Sequence, residues 1–369
     1  MAENSSKPTL ELIKRLSQAV GVTGYRGANP IQAVVSTELL PYVDQVERDR
    51  MGSLIGLKKG LPTEDPTQPD EATPPRKIMI AAHLDEIGAI VTKIDHGFVR
   101  FSQIGGLDDR VLMGQEVVVH GRRDLPGVIG SIPPHLLPPG QSTAPVDRTT
   151  MHIDLGLPAR LVAQQVQIGD VISFVGTVNS LQNGLISGKA MDNRASVAAM
   201  IVCLQELTQL RHQWDVYAVA TADEEWGRFT GATTQAYAIE PDAALVLDLT
   251  FADVDEFETK LGEGPVISLG PSNHPVLRRR FVEICERLEL KYQSEVMASG
   301  AGTDAFAIEV SREGVPTLLI SIPSRNMHTP VEIVDPKDVE RTGRLLAHFI
   351  AGLDDAFVEA LIPAEAVSK

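Results

Sequence analysis

Hydrophobic and polar positions fall into two regimes along this chain. Four short runs are almost continuously apolar: Lys77–Ala82 (KIMIAA), Val216–Ala222 (VYAVATA), Ala243–Leu247 (AALVL) and Thr317–Ile322 (TLLISI). Strands covered on one face alternate, whereas an unbroken apolar run of strand length predicts burial on both faces. Helical periodicity separates or follows these runs. Residues 8–20 bring Leu10, Ile13, Leu16 and Val20 to one face, with Gly21 as a stop. Residues 193–210 do the same with Val197, Met200, Ile201, Leu204 and Leu207, and residues 275–290 and 336–353 are also amphipathic. Strands alternating with helices predict an α/β fold with a largely parallel sheet.

Residues 89–177 follow another rule. Short β-rich pieces (AIVTKI, GFVRFSQI, QEVVVHG, GVIGSI and DVISFVG) are punctuated by Gly and Pro, with no long helical pattern. This predicts a small β-domain inserted into a larger unit made of residues 1–88 and 178–369. A chain of 369 residues exceeds the usual limit of one core, so two domains are expected. Residues 61–75 (LPTEDPTQPDEATPP) are rich in Pro and acids and read as an exposed loop.

Composition narrows the classes of partner. Hydrophobic residues make up 43% and charged residues 22%, an ordinary globular balance. The formal net charge of −16 argues against nucleic acid and anionic membranes, which need clustered Lys and Arg. The two cysteines, Cys203 and Cys285, sit in apolar helical stretches and read as buried side chains, not as a disulfide framework. The first residues lack a signal-peptide pattern and no run is long enough to span a bilayer, so a soluble, cytoplasmic protein is expected.

The candidate chemistry lies just past the apolar runs. His83 and Asp85 follow KIMIAA, Glu224 and Glu225 follow VYAVATAD, Asp248 closes AALVL, and His328 follows TLLISI after a short loop. Open α/β sheets bind ligands beyond the carboxyl ends of their strands. Four strand ends would bring these groups to one edge, and Asp192 would join them from the loop before a helix. Imidazole and carboxylate are the usual ligands of catalytic zinc, and a two-metal site needs a carboxylate that bridges the ions. Two histidines and three carboxylates can supply one terminal His and one terminal acid per ion, plus one shared acid. A further Asp can orient a ligating His, and a further Glu can accept a proton from water.

The stretches AAHLDEIG (81–88), SGKAMDNRAS (187–196), ATADEEWGRFTGA (220–232), LVLDLTFAD (245–253), GAGTDAFAI (300–308) and PSRNMHTPVEIV (323–334) resemble the tetrahedral and glutamyl aminopeptidases, a family of dimetal peptidases. The resemblance spans nearly the whole chain. It implies a sheet sandwiched by helices, with a β-barrel-like insert used for contacts between subunits. It implies that His83 and His328 are terminal ligands of different ions, that Asp192 bridges them, and that Glu225 and Asp248 complete the two sites. Asp85 would orient His83, and Glu224 would be the general base. The implied activity is removal of N-terminal residues from short peptides by water activated between two divalent ions. Zinc suits the mixed ligand set, and cobalt or manganese can occupy such sites. The implied assembly is a homo-oligomer built from dimers, up to a hollow tetrahedron of twelve subunits. Asn326 departs from the family's usual aromatic residue, Ser53 from a common Asn, and the 61–75 loop is long, so specificity does not carry over from a relative.

Each residue also has a plainer reading. Asp192 suits a helix N-cap, Asp85 an Asx turn, and Glu224–Glu225 solvated loop charge. His83 and His328 suit core histidines; Gly300–Asp304 could form an anion nest but matches no phosphate loop, and it reads as a turn near the active site. The other histidines (His120, His135, His152 and His212) read as surface or loop residues. Related dimetal deacylases and carboxypeptidases share the chemistry but need a cationic group for the substrate carboxylate. A glycoside hydrolase would use two carboxylates and no metal. A non-catalytic scaffold would have lost Glu224 or a ligand, and this chain keeps all of them.

Overall fold

In the computed structural model, which describes residues 6–25, 30–61, 75–136, 146–254, 257–299 and 302–362, the four apolar runs lie side by side at the centre of one sheet. In chain order the strands are β1 (Gln45–Arg48), β2 (Leu54–Lys58), β3 (Lys77–His83), β4 (Gly88–Asp95), β5 (Phe98–Ile104), β6 (Glu116–His120), β7 (Asp124–Gly130), β8 (His152–Asp154), β9 (Val171–Phe174), β10 (Asn179–Ser180), β11 (Ile186–Gly188), β12 (Asp215–Thr221), β13 (Ala243–Phe251), β14 (Val266–Leu269), β15 (Gln293–Val296), β16 (Thr317–Ser324) and β17 (Glu332–Val334). The main sheet has the order β1-β2-β12-β3-β13-β16-β14-β15. Its central strands β12, β3, β13 and β16 are mutually parallel. The parallel rule fails towards the edges, where β2 is antiparallel to β12 and β14 is antiparallel to β16.

The unbroken apolar runs are explained by cover on both faces. Ile78, Ile80, Val216, Ala218, Leu245, Leu247, Leu318 and Ile320 face the helices Ser6–Gln18, Met191–Glu206, Pro275–Arg287 and Pro336–Ala351. Met79, Ala81, Val219, Ala244, Val246 and Leu319 face the opposite way, towards Thr230–Ile239 and Asp304–Glu309. Each large aliphatic side chain buried in this way contributes about 1.5–3 kcal/mol. The helix Met191–Glu206 is buried all round from Met191 to Leu204, because it lies between the sheet and the helices Ser6–Gln18 and Pro336–Ala351. Its apolar pattern is therefore wider than the single face legible in the sequence.

Strands β4, β5, β8, β7, β6 and β9 close into a barrel. Inward residues such as Val91, Phe101, Val117, Val119, Ile129, Ile153 and Phe174 form its own core. A third, small sheet joins β10, β11 and β17. Most of the acidic 61–75 loop lies outside the described residues, as do Gly300 and Ala301. Among the described residues no helix is long and apolar enough to cross a membrane. Cys203 and Cys285 are free and buried. Two histidines correct the surface reading: His120 is buried between Asp124 and Ser173, at 2.8 Å from each, and buried His212 bonds the Trp214 carbonyl through Nδ1 at 2.9 Å. Residue type alone does not mark either histidine as buried, and only the packing buries them.

Candidate metal centre

The parallel register decides what meets at the carboxyl edge of the sheet. Residue His83 ends β3, beside Thr221 at the end of β12. Asp248 does not close its strand: β13 continues to Phe251, paired with β16 through Ser324. Pairing of β13 with β3 stops at Val246–Ala81, however, so Asp248 opens onto the crevice beyond β3. Glu224 and Glu225 follow β12, and His328 lies on the loop between β16 and β17. Asp192 lies in the first turn of Met191–Glu206, with the non-helical dihedrals φ −79°, ψ 106°. Its side chain makes no capping hydrogen bond, and the N-cap position is Ala190.

These elements bring all five expected ligands and Glu224 together. The Nε2 atom of His83 is 3.2 Å from Asp192 Oδ1, 3.7 Å from Glu224 Oε2 and 3.9 Å from Asp248 Oδ1. The Nε2 atom of His328 is 3.4 Å from Asp192 Oδ2 and 3.6 Å from Glu225 Oε2. Asp192 thus turns one oxygen to each histidine. Two ligand atoms about 2.1 Å from one tetrahedral ion are roughly 3.4 Å apart, which is the scale of these separations. By distance alone, Glu224 is as close to His83 as Asp248 is, so distance does not separate a ligand from a base. Asp192 Oδ1 and Glu225 Oε1 are buried with no hydrogen-bond partner among the described residues. A buried carboxylate oxygen without a donor is costly unless a cation takes the lone pair.

The electrostatics agree. Burial opposes protonation of His83, but the surrounding carboxylates of Glu224, Asp192 and Asp248 outweigh it and hold the imidazole pKa well above its usual value. Burial would raise Asp192, yet the imidazoles of His328 and His83, each facing one of its oxygens, keep it below the ordinary carboxylate range. Burial and the negative charge of Asp192 push Asp248 up to about 7. Burial, with Asp248 and Asp304, pushes Glu224 up to about 10, and burial with Asp192 raises Glu225 well above the usual range. Four carboxylates and two imidazoles thus hold more negative charge than the protein itself neutralises. The donor set fits divalent cations.

The supporting groups are also visible. Both carboxylate oxygens of Asp85 are engaged: Oδ2 accepts from Thr23 Oγ1 at 2.6 Å, and the amides of Glu224 and Glu225 donate to the carboxylate at 3.2 and 3.3 Å. Its carboxylate is 3.7 Å from His83 Nδ1, and its carbonyl oxygen is closer at 3.3 Å. Asp85 therefore fixes the Glu224–Glu225 loop at least as directly as it fixes the imidazole. Ser53 Oγ, at a position that departs from the family, accepts from the amide of Ala222 at 3.3 Å, just before that loop. Asn326, the other departure, has φ 57°, a left-handed conformation that Asn tolerates better than an aromatic residue.

Three further residues support the centre: Glu332 and Gly106, which the sequence does not single out, and Asp304, which it marks only as the end of a turn. Glu332 is buried and accepts the backbone N–H of Asp192 at 2.9 Å and of His328 at 2.8 Å. Gly106, on the loop after β5 of the barrel, lies against His328, so that an added Cβ would come 2.5 Å from Nδ1. Asp304 is buried, accepts from Thr221 Oγ1, and is pushed up to about 6 by burial. Glu332 and Asp304 fall inside the motifs quoted above, but nothing in their spacing marks them out from other acids.

Residues 67–345 match the M42 glutamyl aminopeptidase profile. A lysyl aminopeptidase of Pyrococcus furiosus is 33% identical over 91% of this chain and 94% of its own length. The crystal structure of a TET aminopeptidase from a marine-sediment Thaumarchaeota archaeon superimposes with a TM-score of 0.87 at 31% identity, covering 96% of this chain and all of the other. The Pyrococcus horikoshii TET1 peptidase, described as assembling into a tetrahedron or a large octahedral shell, superimposes with a TM-score of 0.79 at 28% identity over 94% of this chain and 100% of its own. With its parallel-centred sheet, its barrel and this edge cluster, the chain belongs to the M42 glutamyl aminopeptidase family.

Proposed function

We propose that the chain is a dinuclear aminopeptidase that removes N-terminal residues from short peptides. The observation that carries this reading is Asp192, whose two oxygens face the two histidines, with Asp248 3.9 Å from His83 and Glu225 3.6 Å from His328. His83, Asp248 and one oxygen of Asp192 would hold one divalent ion; His328, Glu225 and the other oxygen would hold the second. Bound there, the ions supply Lewis acidity towards the scissile carbonyl and lower the pKa of water. Glu224 accepts the proton of the attacking water and returns it to the leaving amine. Asp85 and Glu332 hold the ligand loops in place through backbone amides.

Support for end recognition comes from the cavity in front of the cluster. Among the described residues that line it, acids and apolar groups occur but no Lys or Arg. A substrate α-ammonium finds counter-charges there, whereas a C-terminal carboxylate does not, which favours an aminopeptidase over a carboxypeptidase or deacylase. Two imidazoles among four carboxylates also fit a glycosidase pair poorly.

Assembly of the chain into a closed homo-oligomer through the barrel is part of the same reading. Its support is the likeness to shell-forming peptidases and the exposed Met113, Val128, Ile132 and Leu136 on or beside the barrel strands. Light scattering at low micromolar concentration tests it, and a fully active monomer contradicts it. The central experiment is chelation followed by reconstitution. Activity on free peptides should disappear with the ions and return with Zn²⁺ or Co²⁺, at about two ions per chain. N-acetylated peptides should resist cleavage. Full activity without ions, or release of C-terminal residues first, would overturn the proposal.

A further inference from the structure

The cavity beside the cluster encloses about 490 Å³, enough for a side chain as well as the reacting bond. Away from the cluster its walls are largely apolar, with Phe251, Phe257, Met297, Leu319 and Met327 beside Thr250 and Thr303. The rings of Phe251 and Phe257 lie 5.3 Å apart, centre to centre. One charged residue interrupts this surface. Glu295, on the edge strand β15, lines the cavity and accepts a hydrogen bond from Thr250 Oγ1 at 2.8 Å. Among the described residues no Lys or Arg forms an ion pair with it.

The strand geometry relates this acid to the reacting centre. Thr250 follows Asp248 by two residues on β13, so the two side chains point to the same face of the sheet, with Cα atoms about 6.6 Å apart. The Thr250 hydroxyl then places the Glu295 carboxylate one hydrogen bond further along. A substrate residue held at Asp248 would therefore run its side chain past an apolar wall before meeting a negative charge. A lysine has that profile, with a four-carbon stem and a terminal ammonium. Arginine shares it. An acidic side chain would bring like charges together, and a plain aliphatic one would leave the carboxylate unpaired at a partly desolvated site.

We propose that Glu295 selects a basic first residue, Lys or Arg, on the substrate. This rests on the aminopeptidase reading of the same cavity, and it adds the substrate class and the residue that sets it. The charge is supplied by Glu295, the stem is covered by Met297 and the Phe251–Phe257 pair, and Thr250 fixes the carboxylate rotamer.

The experiment pairs binding with turnover on the divalent-ion-loaded protein. Calorimetry compares L-lysine with L-norleucine, which keeps the stem and lacks the ammonium. Hydrolysis is followed on Lys, Arg, norleucine, Leu and Glu p-nitroanilides. The wild-type protein should bind lysine, and cleave its anilide, roughly ten- to a hundredfold better than the norleucine counterpart. Glu295→Gln should remove that advantage while leaving norleucine and Leu within about twofold of wild type. Glu295→Lys should move the preference towards the Glu anilide. Equal binding of lysine and norleucine to wild type would overturn the proposal. So would a Glu295→Gln loss that is uniform across all substrates, because that would place Glu295 on the common α-amino group. Lysine discrimination that persists without turnover of any anilide would remove the peptidase reading and leave the pocket assignment intact.

Discussion

Replacing Glu332 by Gln isolates how the two halves of the centre are held in register. The Glu332 carboxylate is only 2% exposed and accepts two main-chain N–H groups, from Asp192 at 2.9 Å and from His328 at 2.8 Å. Hydrogen bonds to a charged acceptor are worth about 1.5–3 kcal/mol each. Glutamine keeps one acceptor oxygen but turns an amide N–H₂ towards the other donor, so one bond is lost and the other loses its charge assistance. Part of this loss is offset, since burial and the negative charge of Asp192 hold the Glu332 pKa well above the usual carboxylate range, and a neutral amide is cheaper to bury than a carboxylate. A net cost of about 1.4–2.8 kcal/mol remains, which is ten- to a hundredfold in ion affinity, the usual range for groups that orient metal ligands. Competition with a fluorescent chelator measures that affinity directly. The kcat at saturating ion concentration should fall far less, because Glu332 reaches no reacting atom. Wild-type ion affinity in Glu332→Gln would refute the reasoning and leave the two amide bonds without a functional role.

Glu224→Gln should lower kcat on the order of 10²–10⁴-fold with ion content retained, whereas Asp192→Ala should lose the ions; equal ion content in the two variants, measured by elemental analysis, would overturn the division of roles. Gly106→Ala should displace the His328 ring, because the new Cβ would come 2.5 Å from Nδ1. A rate loss on the order of a hundredfold with an unchanged melting temperature is expected, and wild-type rates would mean that the barrel loop yields. In ion-free protein, Asp248 at about 7 and Glu224 at about 10 hold protons in the folded state that they release on unfolding. Stability then falls as pH rises above their ordinary values. His83, also raised, contributes stability that is full below its ordinary value and is lost as pH rises through its folded one. The lowered Asp192 titrates below this window and adds no slope. The melting temperature of chelated protein should thus drop from pH 5 to 9, and the gain on adding Zn²⁺ should grow; a flat profile would contradict the cluster's charge balance.

The sequence by itself determined the layers of the sheet and the residues of the candidate centre. Runs such as KIMIAA and AALVL carry their two-sided burial in composition, because a strand without alternation has nowhere to put a solvated face. His83, Glu225 and Asp248 follow such runs, and the chemistry of the carboxyl edge does the rest. Glu332 was not legible, because its importance lies in joining the nearby amide of His328 to that of Asp192, which is distant in sequence. Gly106 was hidden for a related reason: a glycine in a barrel loop means little until the barrel is docked against His328. Asp248 was read as ending its strand, yet β13 runs on to Phe251, since strand ends depend on which partner stops pairing first. Burial of His120 and His212 was likewise set by neighbours that only packing supplies. Residue type and local order are written along the chain. Register, the meeting of loops and the fit of the barrel to the sheet are long-range, and only the tertiary structure decided them.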